Sequence, residues 1–205
     1  MDNYAKWVET LSTLSKNAIS YLGQLSLPSN PVITFDIDET LIDLFGVGIQ
    51  PMILLYNYSV MIGIKPIIIT NRPNIPCLVE LTKKQLLLAG LTGSLCIYFR
   101  DLNVKNPWKY KHNIRNSIMF SGYNIVLLVG DMQWDVDKNF PSVLVSKISP
   151  SVFTTAMDKE TSVIQSDFQF QDLNYHSQIP NQLIIQSSLP NSSVIYPISK
   201  FCSQY

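Results

Sequence analysis

Short apolar runs separated by longer stretches of helical spacing organise most of this chain. Val32 to Phe35, Pro66 to Thr70, Leu95 to Phe99, Ile125 to Val129 and Val143 to Val145 are rich in β-branched or aromatic residues and too short for helices. Their alternation with helix-length segments predicts an α/β fold with a central parallel sheet and crossover helices. Ahead of them, Tyr4, Trp7, Val8, Leu11, Leu14, Ile19, Leu22 and Leu25 recur at roughly helical spacing. An amphipathic helix or helix pair is expected there, ending before Pro28 and packing on the core or covering a site. After about Ser149 the pattern gives way to Ser, Gln, Asn and Pro, as in Gln186 to Ser193. That composition predicts a loosely structured extension, partly docked through Ile184, Ile185 and Val194 to Tyr196. The expected organisation is a helical segment over 1–30, an α/β core over 31–148 and a polar extension over 149–205, with no internal repeat.

Composition adds bounds. At 205 residues and 46% hydrophobic content the chain can bury one sizeable core. Fifteen Lys and Arg balance fifteen Asp and Glu, so net charge gives no attraction to nucleic acid, an anionic membrane or an acidic substrate. Locally, Asn103 to Gly130 carries Lys105, Lys109, Lys111 and Arg115 and no acid. Such a segment suits a phosphate, or is simply a solvated helix face. Cys77, Cys96 and Cys202 are odd in number, far apart and without metal-ligand spacing to His112 or His176. Together with the lack of a bilayer-length apolar run or a signal-peptide core before Pro28, this predicts a reduced, cytoplasmic setting with no membrane partner.

The chemistry concentrates where three apolar runs end. Asp36-Ile37-Asp38-Glu39-Thr40 follows the first, Thr70-Asn71-Arg72 closes the second, and Gly130-Asp131-Met132-Gln133-Trp134-Asp135 follows the fourth. In parallel sheets ligands gather at the carboxyl ends of strands, so these motifs are expected to converge. A carboxylate attacks phosphorus when a divalent cation screens both charges, which makes Asp36 the candidate nucleophile. Asp38, two residues on and on the same side of an extended chain, is placed to protonate a leaving oxygen and then to activate water. Mg²⁺ needs few carboxylates, and Asp131 with Asp135 one helical turn later meets that need. Thr70 or Asn71 is suited to hydrogen-bond phosphoryl oxygens, and a lysine from the basic segment to neutralise developing charge. Arg72 either binds substrate phosphate or fixes the loop before Pro73.

Taken together, Asp36-Ile37-Asp38-Glu39-Thr40, Ile69-Thr70-Asn71-Arg72, a lysine, and Gly130-Asp131-x-x-x-Asp135 resemble, in that order, the haloacid dehalogenase (HAD) superfamily of aspartate-nucleophile phosphohydrolases. Tyr110-Lys111, Arg115, Gly122-Tyr123-Asn124-Ile125-Val126 and the Asp131 motif resemble more closely the class B/C acid phosphatases and plant vegetative storage proteins of subfamily IIIB. The resemblance spans about residues 31 to 148. It implies a Rossmann-like HAD fold, Mg²⁺ dependence, Asp36 as nucleophile, Asp38 as general acid/base, Lys111 as the family lysine and Asp131 as metal ligand. It also implies that the Asp38 main-chain carbonyl meets the metal and that Asp135 holds the metal or its water. About 30 residues separate Asp38 from Thr70 and about 40 separate Asn71 from Lys111, so no large cap domain is expected.

Simpler readings stand beside these. An isolated Asp-x-Asp-x-Thr is more often a capping turn, and acids at Asp131 and Asp135 suit a helix start. His112 is expected exposed on a helix, Trp134 half-buried at the rim of the site, and Tyr123 in the core. The function expected is a Mg²⁺-dependent phosphomonoesterase acting on a small phosphorylated substrate. Two alternatives remain: a phosphatase of nucleic-acid ends or phosphoprotein, with nucleic acid disfavoured by the neutral charge, and a catalytically weak storage, scaffold or binding protein. A homo-oligomer stays open.

Overall fold

The computed structural model describes residues 3–94 and 96–145. Among the described residues nine elements occur in order: α1 (Asn3–Gln24), β1 (Pro31–Phe35), α2 (Gln50–Met61), β2 (Lys65–Pro73), α3 (Pro76–Leu88), β3 (Cys96–Arg100), α4 (Pro107–Phe120), β4 (Asn124–Gly130) and β5 (Ser142–Leu144). The five strands form one sheet in the order β3-β2-β1-β4-β5, and every neighbouring pair is parallel. The α/β architecture with a central parallel sheet read from the apolar runs is the one observed, and among the described residues no cap domain interrupts it. The expected extension over 149–205 lies outside the described residues.

Side-chain alternation explains why helices cover both faces. In β1, Ile33 and Phe35 enter a core shared with Leu11, Leu14, Ala18 and Leu22 of α1 and with Met52, Leu55 and Tyr56 of α2. Val32 points the other way, into a second core with Tyr110 and Ile118 of α4. Phe35 meets Tyr56 at a ring separation of 5.4 Å. Each buried side chain of this size contributes about 1.5–3 kcal/mol relative to exposure. Helix α1 is a structural layer: Ser15 Oγ donates to the Pro51 carbonyl at 2.6 Å, pinning it to the start of α2. Among the described residues no helix is long and apolar enough to cross a membrane.

One irregularity could not be read from alternation. Val32 pairs with Ile125 but Ile33 pairs with Leu127, so Val126 is an extra residue in β4. Val126 and Leu127 therefore both lie in the α1/α2 core, while Ile125 and Leu128 lie in the other. Such a bulge re-aims the chain beyond it, here the approach to Gly130 and Asp131.

The chain runs outward through β1, β2 and β3 and then crosses back to β4. The point of reversal lies between β1 and β4, where their carboxyl ends leave a crevice. Asp36 N donates to the Val129 carbonyl at 2.9 Å, and Val145 N donates to the Gly130 carbonyl at 2.7 Å. These bonds carry the ladder to the rim of that crevice. At Gly130 a Cβ would come within 2.1 Å of Asp135 Cβ and 2.6 Å of Asp135 Cγ. Gly130→Ala is therefore expected to cost about 3 kcal/mol, because the clash is with a side chain buried against the backbone. The test is the urea midpoint at unchanged m-value; a cost below about 1 kcal/mol would show that the adjoining loop moves aside freely.

Candidate active site

Asp36 is the first residue beyond β1 and is 7% exposed. Across the crevice, Asp131 comes directly after β4 and Asp135 lies four residues on, both buried. Asp36, Asp131 and Asp135 each present a carboxylate oxygen within 4.8 Å of the others. Into this group reaches Lys111 from α4, itself 1% exposed. Its Nζ donates to Asp36 Oδ1 at 2.8 Å and also to Asp135 Oδ1. Of the lysines in the basic segment, Lys111 is the one the fold brings to the carboxylates. The helix that delivers it starts at Asn106, whose side chain accepts from Lys109 N at 3.2 Å, with Pro107 in its first turn.

The loop after β4 departs from the expected helical turn: it is a succession of turns with no helix. Asp135 N donates to the Met132 carbonyl at 2.9 Å, and Asp135 Oδ2 accepts from Met132 N at 2.9 Å. One carboxylate oxygen thus closes the loop while the other faces Lys111. The spacing of two acids four apart fits a helix or a closed turn equally well, and the self-bonding of Asp135 selects the turn.

Arg115 braces the same loop from beneath. Four residues after Lys111, it sits on the same face of α4, buried, with Nη1 donating to the Trp134 carbonyl at 3.2 Å and the Asp135 carbonyl at 3.4 Å. Its Nη2 lies 3.9 Å from Asp137 Oδ2. Burial lowers its pKa, with Asp137 and Asp135 opposing the shift. In the sequence, the spacing of Arg115 from Lys111 is the one signal of this bracing role.

The remaining candidates have distinct surroundings. Thr70, fully buried, accepts from Arg72 N at 3.1 Å through Oγ1. Asn71 has a buried Oδ1 with no hydrogen-bond partner among the described residues, while its carbonyl accepts from Arg100 Nε at 3.1 Å. Asp38 stands apart from the carboxylate cluster, with its side chain 55% exposed, and is gripped by Arg72. Nε of Arg72 donates to both Asp38 oxygens at 3.1 and 3.0 Å, and Nη2 donates to Oδ1 at 2.6 Å. Its Nη1 donates to Thr82 Oγ1 at 2.8 Å and Gln85 Oε1 at 2.6 Å on α3. Nothing in the sequence pattern singles out Thr82 or Gln85. His112 is exposed and 3.8 Å from Asp137. Trp134 is half-buried, edge-on to Trp108 at 6.5 Å, and Tyr123 is partly buried against the second core.

At the cluster is a partly open pocket of about 10 Å³ lined by Asp36, Lys111, Arg115 and Asp135 with Thr34, Phe35, Ile69 and Val129. That is room for roughly one water molecule, so the charges are desolvated. Burial pushes Asp36 up to about 7, helped by the charges of Asp135 and Asp131 and opposed by Lys111. For Lys111, burial alone would lower the ammonium, but Asp36 and Asp135 more than offset it and the net shift is upward. An ammonium among three clustered carboxylates leaves a surplus of negative charge and several oxygen donors. This is the donor set that a hard, oxygen-seeking divalent cation takes, so the residues present fit such an ion.

Comparisons with known proteins bear on the fold and the family. The family model described as "HAD superfamily, subfamily IIIB (Acid phosphatase)" matches residues 47–166, more than half of the chain. The match includes Thr70, Lys111, Asp131 and Asp135, while Asp36 and Asp38 precede it. The class C acid phosphatase from Bacillus anthracis superposes with a TM-score of 0.52 at 17% identity, covering 66% of each chain. The same enzyme with tungstate bound gives 0.50 at 15% identity and the same coverage. At these identities the likeness is one of fold, and this chain spans about two thirds of the length of those structures. No curated protein matches. By the family match over more than half its length, the chain belongs to the HAD superfamily, subfamily IIIB.

Proposed function

We propose that the chain is a Mg²⁺-dependent phosphomonoester hydrolase acting on small phosphorylated substrates through an aspartyl phosphate on Asp36. The observation that carries this reading is the buried Asp36 at the reversal of the sheet, held by Lys111 within 4.8 Å of Asp131 and Asp135. Asp36, Asp131 and Asp135, with the main-chain carbonyl of Asp38, would hold the cation, which supplies the positive charge that lets a carboxylate approach a phosphate.

In this mechanism an Asp36 oxygen attacks phosphorus while the bond to the leaving oxygen breaks, and that oxygen takes a proton from Asp38. Asp38 then takes a proton from water, whose oxygen attacks the same phosphorus. The bond to Asp36 breaks, releasing inorganic phosphate and restoring both carboxyl groups. Lys111 fixes Asp36 in one orientation and opposes charge gathering on the phosphoryl oxygens. Thr70 and Asn71, in the last part of β2, bind those oxygens.

Phosphate release from aryl, nucleotide and sugar phosphates, with Mg²⁺ or with chelator, tests the reading. Turnover should require the cation, and Asp36→Asn should lower it more than about 10³-fold. Equal background in both proteins would overturn it and favour a non-catalytic or macromolecule-directed role.

A second prediction comes from the raised pKa of Asp36. The ordinary value is 3.8 and the folded value about 7, so the folded state holds this proton more tightly than the unfolded chain does. Stability from this site is therefore fully present below 3.8, declines as pH rises towards 7, and is absent above it. A cation binds the ionised cluster and offsets the loss. Adding Mg²⁺ should raise Tm more at pH 8 than at pH 5, and without cation Asp36→Asn should melt higher than the parent at pH 8. Equal Mg²⁺ shifts at the two pH values would count against cation binding by the Asp36 cluster.

A further inference from the structure

The guanidinium of Arg72 is occupied almost completely. Two of its nitrogens face Asp38, and Nη1 is shared between Thr82 and Gln85. An arginine has five N–H donors, and these bonds employ four, leaving one for a phosphate. The two ends of the bridge differ in burial. Thr82 is 1% exposed and fixed in α3, whereas the Asp38 side chain is 55% exposed. A carboxylate so open to water has no packing to select its rotamer, and the turn after it is tight: Glu39 lies at a φ of 55°, in the left-handed region. Gln85 also borders the loop beyond that turn, since a Cβ on Gly46 would lie 3.2 Å from its Nε2.

We propose that Arg72 is a positioning residue for Asp38, anchored from α3 by Thr82 and Gln85, and not a ligand of the substrate phosphate. The inference rests on the phosphatase reading above, since it concerns the group that protonates the leaving oxygen. A half-exposed ion pair adds little to stability, so the worth of the contact is geometric. The planar fork fixes both carboxylate oxygens at once, while its second anchor prevents the fork itself from turning. A lysine, as a single point charge, supplies neither constraint.

The test uses the leaving group. Values of kcat/KM for 4-nitrophenyl phosphate, whose leaving group needs little protonation, are compared with those for glycerol 2-phosphate, whose alkoxide needs it. Arg72→Lys should lower the second by about 100-fold and the first by less than about 10-fold. The inhibition constant of inorganic phosphate should stay within threefold of the parent. Thr82→Val and Gln85→Leu, which leave Arg72 in place, should show the same asymmetry more weakly and guard against a folding defect in Arg72→Lys. Equal losses on both esters, with phosphate inhibition weakened to match, would overturn the inference and make Arg72 a phosphate ligand. A parent protein without turnover on either ester would instead overturn the phosphatase reading, and this inference with it.

Discussion

The ammonium of Lys111, shared between Asp36 and Asp135 in a pocket with room for about one water, is the interaction on which the rest depends. Clustered carboxylates out of water are costly unless paired, and every nearby feature serves that pairing. Helix α4 delivers the lysine and, four residues later, Arg115, whose guanidinium holds the carbonyls of the loop that presents Asp135. Gly130 lets that loop fold back against the strand end, because the space of a side chain there is already taken by Asp135. One helix and one loop are thus fitted to each other at both side-chain and backbone level.

Against this dry centre, Asp38 occupies a different environment. Two acids separated by a single residue lie in contrasting places just past the strand: Asp36 is largely buried at its end, and Asp38 emerges at the rim in the grip of Arg72. Carboxylates in contrasting surroundings take contrasting roles, and the division here is made by the turn at Ile37 to Ile42. The carbonyl of Ile37 accepts from the main-chain N–H groups of Thr40, Leu41 and Ile42. That turn tightens the chain immediately after the first acid, and Glu39 adopts the left-handed conformation needed to complete it.

Much of this is legible in the sequence because a parallel sheet covered on both faces requires nearly continuous apolar strands. The five runs fall within a residue or two of the observed elements, apart from β2, which continues through Asn71 and Arg72 to Pro73. Strand-end chemistry then locates Asp36, Thr70 and Asp131. The features that stay hidden depend on contacts between distant segments. The extra residue at Val126 shifts register without breaking the apolar run. The grip of Arg72 on Asp38 joins β2, α3 and the turn after β1, and no spacing along the chain encodes it. The loop at Asp131 to Asp135 reads as helical from spacing alone because acids four apart satisfy two local geometries, and only the bonds of Asp135 distinguish them.

The placement of β1 beside β4 has a further consequence for how the molecule comes into being. Asp36 and Asp131 are neighbours across a pairing that spans nearly half the chain, with two strands and three helices synthesised between β1 and β4. Contacts of such long sequence separation are entropically slow to close. The crevice has no local precursor: until α4 and β4 dock, Asp36 lacks its lysine and its companion acids. On the proposed reading, affinity for cation and phosphate should therefore arise with global folding and not before it, so that a partly folded or newly emerging chain would sequester neither.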